Sequence, residues 1–303
     1  MTVFMAAFLM QFVVSVKAGL VNHVQGDANV AEMEMARVNR PIRTGANGYV
    51  EVLLRPGSFL RLGENSEATI DDAELAHVKL TVTRGPAQIE VVEIDSEFPI
   101  TVTTGNLTTN IVASGIYRFA DGTATVVQGK LKTADSKLSY EKGWQIFFQD
   151  NYRARKTPKI QLTSLDVYSQ TRSEEIAQAN YSLASSLQSP SSYDVYDLWL
   201  FSQQFGTYTF IPRVGFRSPY GYQYYGVGTR RAVNNGNYGN RNNTDYSSPS
   251  PSTPQGGGGN TNTGSNGGGG TASAPAASTP SGERTAPAVY IESKSAPVGA
   301  TVP

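Results

Sequence analysis

From Leu20 to Gln149 the chain is a succession of short apolar stretches cut by turn residues, with glycines recurring at roughly ten-residue intervals and no sustained helical spacing. Few folds accept that rhythm: a sandwich, a barrel or a solenoid-like stack of short strands. Pro41 to Leu62 shows the unit most clearly. A turn at Thr44-Gly45-Ala46-Asn47-Gly48 opens onto a strand from Tyr49 to Leu54, and a second turn at Pro56-Gly57 opens onto another from Ser58 to Leu62. Val50, Val52 and Leu54 fall on one side of the first strand, with Glu51 and Leu53 on the other. In the second strand Leu60 and Leu62 alternate with Phe59 and Arg61. Arg55, Arg61 and Glu51 are expected to be cross-strand or solvated charges.

The same devices recur downstream. Asp71-Asp72 is expected as a polar turn between Ala68-Ile70 and Leu75-Thr83, and Ile89, Val91 and Ile94 alternate with Glu90 and Glu93. Asp121-Gly122 between two apolar runs predicts a hairpin. Gln128-Gly129-Lys130 is expected to repeat it, and Tyr140 to Gly143 leads into a strand from Trp144 to Phe148.

Between Thr157 and Gln188 the period changes. Leu165, Tyr168, Ile176, Tyr181, Ala184 and Leu187 share one broad helical face with Glu174, Glu175 and Gln178 opposite. Thr163 or Ser164 is placed to cap the start and Pro190 to end it, with Ser173 to Leu187 the strongest helical tract. Tyr193 to Tyr225 is crowded with aromatics, and from Asn234 onward Gly, Ser, Asn, Thr and Pro dominate. That tail has too little apolar surface to offset ordering entropy and is expected to be disordered.

Residues 3–16 are a nearly unbroken apolar run, too short for a bilayer span of about 20 residues, and end in Val16-Lys17-Ala18-Gly19. This matches a signal-peptide core cleaved after Ala18. No Lys or Arg precedes the run, so either the leader is atypical or the start residue lies inside a longer one. A buried first strand or helix is the other reading.

The chemistry-bearing residue types are sparse. The chain has no cysteine, which removes disulfides, thiolate metal sites, cysteine nucleophiles and a lipoprotein anchor. His23 and His77 are far apart with no ligand cluster around them, so no zinc site or Ser-His-Asp set assembles. Asp71-Asp72 with Glu74, and Glu32 with Glu34, suit a turn and a solvated face better than a catalytic pair. Gly256-Gly259 lacks the Lys-Ser/Thr and the strand–helix frame of a phosphate loop. No catalytic, metal or cofactor site is expected. Formal net charge is zero, which argues against nucleic acid even though Arg213, Arg217, Arg230, Arg231 and Arg241 bias one region. The aromatic segment has two readings: a satellite core wrapped on the β module, or a ligand surface in which Trp199, Tyr208, Phe210, Tyr220, Tyr222 and Tyr224 stack on sugar rings.

The order of Leu20-Val21-Asn22-His23-Val24-Gln25-Gly26, Thr44 to Gly48, Glu51 to Ser58, Leu60-Arg61-Leu62 and Val82-Thr83-Arg84-Gly85-Pro86-Ala87 resembles the FecR domain, as does the later pair Val102-Thr103-Thr104 and Gly115-Ile116-Tyr117-Arg118. The segment Val167 to Arg172 with Ala177 to Asn180 resembles a tail that recurs on exported FecR-type proteins. The resemblance implies an all-β extracytoplasmic module. It also implies a place near receptor-to-sigma-factor relays, although the helical cytoplasmic domain and membrane-spanning helix of a signalling FecR have no counterpart here.

The expected organisation is therefore a signal peptide (1–18), a FecR-like all-β domain (19–150), a helical segment (160–190), an aromatic-rich segment (191–233) and a disordered tail (234–303). The expected role is a non-enzymatic binding, scaffold or signalling-associated module in the periplasm or outside the cell. Its partner is an envelope protein or a cell-wall glycan, with no nucleic acid and no membrane span in the mature chain. The alternative is a carbohydrate- or peptidoglycan-binding protein that uses the aromatic segment.

Overall fold

The computed structural model describes residues 17–94, 97–149, 151–157, 160–186, 196 and 198–226. The chain divides into two units, residues 1–239 and 240–303. The second unit, the expected disordered tail from 234 and the apolar run at 3–16 lie outside the described residues.

The described part of the first unit is built around two β-sheets. The first sheet runs β1 (Leu20–Gln25), β3 (Tyr49–Leu53), β4 (Ser58–Leu62), β7 (Ala87–Val91), β10 (Gly115–Ala120), β11 (Thr123–Gln128), β14 (Trp144–Gln149) and β15 (Asn151–Lys156). All its pairings are antiparallel. The second runs β13 (Ser139–Glu141), β12 (Lys130–Thr133), β9 (Leu107–Ile111), β8 (Ile100–Thr104), β6 (Lys79–Arg84), β5 (Glu67–Asp72) and β2 (Ile42–Arg43). Its β6–β8 contact is parallel. The sheets face one another across a core that takes Val50, Val52, Leu60, Leu62, Ile89 and Phe119 from the first and Ile70, Leu80, Val82, Val102 and Ile111 from the second. Burying such aliphatic side chains contributes about 1.5–3 kcal/mol each, before entropy is charged against it.

The alternation expected for Pro41–Leu62 is what forms. Val50, Val52, Leu54, Leu60 and Leu62 enter the inter-sheet core, while Leu53 and Phe59 belong to a second cluster on the opposite face. Asp121-Gly122 joins β10 and β11 as expected, both residues at positive φ (46° and 75°). Gln128-Gly129-Lys130 departs from expectation. It carries the chain from β11 in one sheet to β12 in the other, so it is a sandwich corner and not a hairpin. The Tyr117 hydroxyl braces this corner, donating to Ala113 O at 2.6 Å and accepting from Lys130 N at 2.9 Å. Asp71 and Asp72 also depart from the expected turn: they end β5, where Asp71 accepts from Thr69 and Thr81.

The expected helix is α1 (Ser164–Ser186). Thr163 and Asp166 exchange bonds across its first turn, Thr163 N–H to Asp166 Oδ2 at 2.5 Å and Asp166 N–H to Thr163 Oγ1 at 3.4 Å, so Thr163 is the cap. The buried face differs from the apolar one expected. It holds Leu165, Tyr168, Ile176 and Ala177 but also Asp166, Ser169, Arg172, Ser173 and Asn180, and Tyr181 is 44% exposed. Leu187 and Pro190 lie outside the described residues. The aromatic segment supplies two small hairpins, β16 (Trp199–Ser202) with β17 (Thr207–Phe210), and β18 (Phe216–Arg217) with β19 (Gln223–Tyr224).

Candidate functional site

The first sheet carries an unusual load on its outer face. Facing away from the inter-sheet core are Asn22 of β1, Glu51 of β3, Arg61 of β4, and Gln88 and Glu90 of β7, all buried. Register explains the grouping, because Glu51 lies opposite Arg61 and Arg61 opposite Gln88, with Glu90 two positions along the same strand. Helix α1 and β17 close over this row and add Arg172, Ser173 and Thr207.

The charges pair within the sheet and across that contact. Arg61 donates through Nε to Glu51 Oε2 and through Nη1 to Glu90 Oε2, each at 2.7 Å. Arg172 Nη2 reaches Glu51 Oε1 at 3.0 Å and Thr207 Oγ1 at 2.8 Å, and Arg172 also pairs with Glu175. Asn22 Nδ2 donates to Glu51 Oε1 at 2.8 Å while its Oδ1 accepts the Tyr208 N–H at 2.7 Å. The Ser173 hydroxyl donates to Glu90. At the flanks Arg118 pairs with Asp166, and Tyr168 meets His23 Nδ1 at 3.0 Å. Glu51 and Arg61, expected as solvated or cross-strand charges, do pair across strands and are joined by Glu90, but none of the three side chains reaches solvent. The reason is the cover: α1 and the hairpins occupy the face that alternation alone assigns to water.

The two carboxylates titrate in opposite directions. Burial pushes Glu51 up, but the Arg172 and Arg61 guanidiniums outweigh it and hold the carboxyl down at about 2. Burial wins at Glu90, which is raised because Arg61 is its one cationic partner and Glu51 repels it. His23 is lowered by burial and then by Arg172.

Next to this polar row lies an aromatic cluster. Trp199, Tyr208, Phe210 and Tyr224 are buried with Leu20, Leu53, Phe59, Val92 and Ile176. Trp199 meets Phe59 edge-on at 5.4 Å and Phe210 at 5.8 Å, and Phe210 stacks on Tyr224 at 5.0 Å. Asn180 of α1 ties both hairpins down, donating to Phe210 O and Tyr225 O at 2.9 and 3.0 Å and accepting the Tyr225 N–H at 2.7 Å. Of the six aromatics singled out in the sequence, Trp199, Tyr208, Phe210 and Tyr224 therefore lie inside the fold. Tyr220 is half-buried with its hydroxyl on Gln88, and Tyr222 lines a cleft.

That cleft, about 720 Å³, opens between the outward flank of α1, the β16–β17 turn and the β18–β19 hairpin. Tyr181, Tyr222, Tyr225 and Phe205 supply its aromatic surface, and Glu174, Gln178, Gln204 and Gln223 its polar one. Nothing in the sequence marks Tyr181 or Gln204 as lining a cleft, since a tyrosine on an apolar helical face is expected to be core. Arg172 was equally silent, because nothing in a one-dimensional pattern marks a buried cation on a helix. Among the described residues no group of three or more His, Asp or Glu is placed to hold a metal ion. No helix among them is long and apolar enough to cross a membrane.

Residues 40–132 match the family model described as FecR protein. Two crystal structures of a candidate anti-sigma factor from Parabacteroides distasonis ATCC 8503, at 1.65 and 2.50 Å resolution, are similar at 16% identity and a TM-score of 0.33. The similarity covers 39% of this chain and 60% of that protein, so the chain spans less than two thirds of its neighbour. No significant match occurs among curated proteins.

Proposed function

We propose that this chain, which carries a FecR region at residues 40–132, is a non-enzymatic module of the bacterial cell envelope that acts in binding, scaffolding or signalling-associated contacts after export to the periplasm or beyond. The observation that carries the reading is the placement of its charges. Glu51, Arg61, Glu90 and Arg172 are enclosed between sheet and helix and neutralise one another. Carboxylates held that way stiffen a surface; they are not poised to exchange protons with a ligand. The FecR match supports an envelope-associated role, and the apolar run at 3–16 with Val16-Lys17-Ala18 supports export.

A fusion of the full chain to alkaline phosphatase, which folds only outside the cytoplasm, tests the proposal. Active reporter, recovery in the envelope fraction and a mature N-terminus at Gly19 by mass spectrometry are expected. Inactive reporter with Met1 retained would sink it.

A further inference from the structure

We propose that the cleft between α1 and the C-terminal hairpins is a binding site for an uncharged saccharide. The inference rests on the reading of the chain as an envelope binding module and names the chemistry of what one surface of it takes.

The cleft is built on the rigid part of the molecule. Glu174, Gln178 and Tyr181 fall at three- and four-residue spacing on one flank of α1, so their side chains form a single stripe. Asn180, one residue before Tyr181, fixes the opposite wall by its bonds to β17 and to Tyr225. Ser182 joins the third wall, its hydroxyl donating to Gln204 at 2.8 Å. The walls are thus held by hydrogen bonds before any ligand arrives, which lowers the ordering cost of binding. About 720 Å³ is the size range of small-ligand sites and accommodates a short oligosaccharide segment.

Its chemistry selects the ligand. A pyranose presents two kinds of surface: apolar C–H faces and a rim of hydroxyls that both donate and accept. Tyr181 offers a ring that is 44% exposed and braced edge-on by Tyr225 at 5.2 Å, with Tyr222 close by. Aromatic rings exposed in this way suit the C–H faces. The Ser182 and Ser185 hydroxyls donate to Gln204 and to Tyr181 O, and Gln223 Nε2 donates to Phe216 O and Tyr224 O, so these groups meet the rim as acceptors while the carboxamides of Gln178 and Gln204 supply donors. Among the described residues Glu174 accepts two long bonds, from Gln178 and Tyr222 at 3.4 Å each, and so keeps acceptor capacity toward the cleft. Among the described residues that line it there is no Lys or Arg. A phosphorylated, sulfated or uronic ligand would meet Glu174 with no compensating cation, so anionic glycans are disfavoured.

The test is titration of the full chain by isothermal calorimetry with three probes: an N-acetylglucosamine tetramer, maltotetraose and a sulfated heparin tetrasaccharide. Saturable binding of at least one neutral probe is expected, with the sulfated probe much weaker. Tyr181→Ala and Gln204→Ala should each weaken neutral binding by roughly tenfold, a loss of about 1.4 kcal/mol, and Tyr181→Phe should restore it. Both positions are exposed, so thermal midpoints should stay near that of the unmodified chain. Failure of both neutral probes to bind overturns the inference, as does equal binding by Tyr181→Ala or preference for the sulfated probe. The two proposals fail separately. An exported, envelope-bound chain that ignores neutral saccharides overturns the cleft alone, whereas a cytoplasmic chain that binds them overturns the envelope reading.

Discussion

Glu51 and Glu90 share Arg61 on one sheet face, yet their proton affinities diverge, and the divergence sets a testable pH dependence. Glu51, bracketed by two guanidiniums, is held at about 2 against an ordinary 4.5. A depressed acid contributes stability that is complete above the unfolded value and lost as pH falls through the folded one. Unfolding stability should therefore drop by about 3 kcal/mol between pH 4.5 and 2 from this group. His23, lowered below 6.5, adds a loss of the same sign as pH falls through 6.5. Glu90 is raised, so its contribution is complete at low pH and lost as pH rises, opposing the other two. Urea unfolding at several pH values should show that Glu51→Gln costs more than Glu90→Gln at pH 7 and flattens the acid limb. Equal costs would contradict the pairing described. Removing a cation is harsher still: Arg172→Met leaves Glu51 with Arg61 and Asn22 in a closed contact and should cost about 3–5 kcal/mol. Alternation sets Glu51, Arg61 and Glu90 each opposite the apolar side of its own strand but cannot show that they share a face or that this face is covered, since a strand's period says which side chains agree and not what lies over them.

At the scale of elements, the strands were legible because both of their faces obey a period of two, and the turn chemistry of Asp121-Gly122 is local. The corner at Gly129 was not legible, because a hairpin and a sheet-to-sheet crossing use the same turn residues. What separates them is Tyr117, whose hydroxyl bridges Ala113 and Lys130 across the corner. Gly129 sits at φ +99°, and an added Cβ would lie 2.1 Å from that hydroxyl. Gly129→Ala should therefore destabilise by more than about 1 kcal/mol and Tyr117→Phe by about 1–3 kcal/mol, read as shifts in urea midpoint. Unchanged midpoints in both would show that the corner is not braced. Helix α1 was legible in place and in its cap but not in orientation. Its buried stripe includes Arg172, Ser173 and Asn180, whose partners are carboxylates and carbonyls brought in from β3, β7 and the hairpins. A polar stripe of that kind is invisible to any count of apolar spacing.

The whole molecule shows why the family match and the cooperative fold need not coincide. Residues 40–132 take in β2 to β12 but omit β1, β13, β14, β15, α1 and both hairpins. Without β1, β3 loses a neighbour along its whole length and Glu51 loses Asn22. Without α1 and the hairpins, Leu53, Phe59 and Val92 open to water and the Glu51–Arg61–Glu90 row loses Arg172 and Ser173. Exposed apolar area at Leu53, Phe59 and Val92 would then lie on a sheet that has also lost its β1 edge, and both losses act on the same strands. A segment of residues 40–132 alone should thus be insoluble or bind a hydrophobic dye without a cooperative transition. Residues 17–226 should instead unfold cooperatively, close to the midpoint of the full chain, because every partner named here falls within them. Calorimetry on the two segments decides the matter. A sharp transition in 40–132 at the midpoint of 17–226 would mean that the helix and hairpins sit on a finished sandwich, whereas loss of the transition makes the aromatic segment a structural wall of the fold that also borders the cleft.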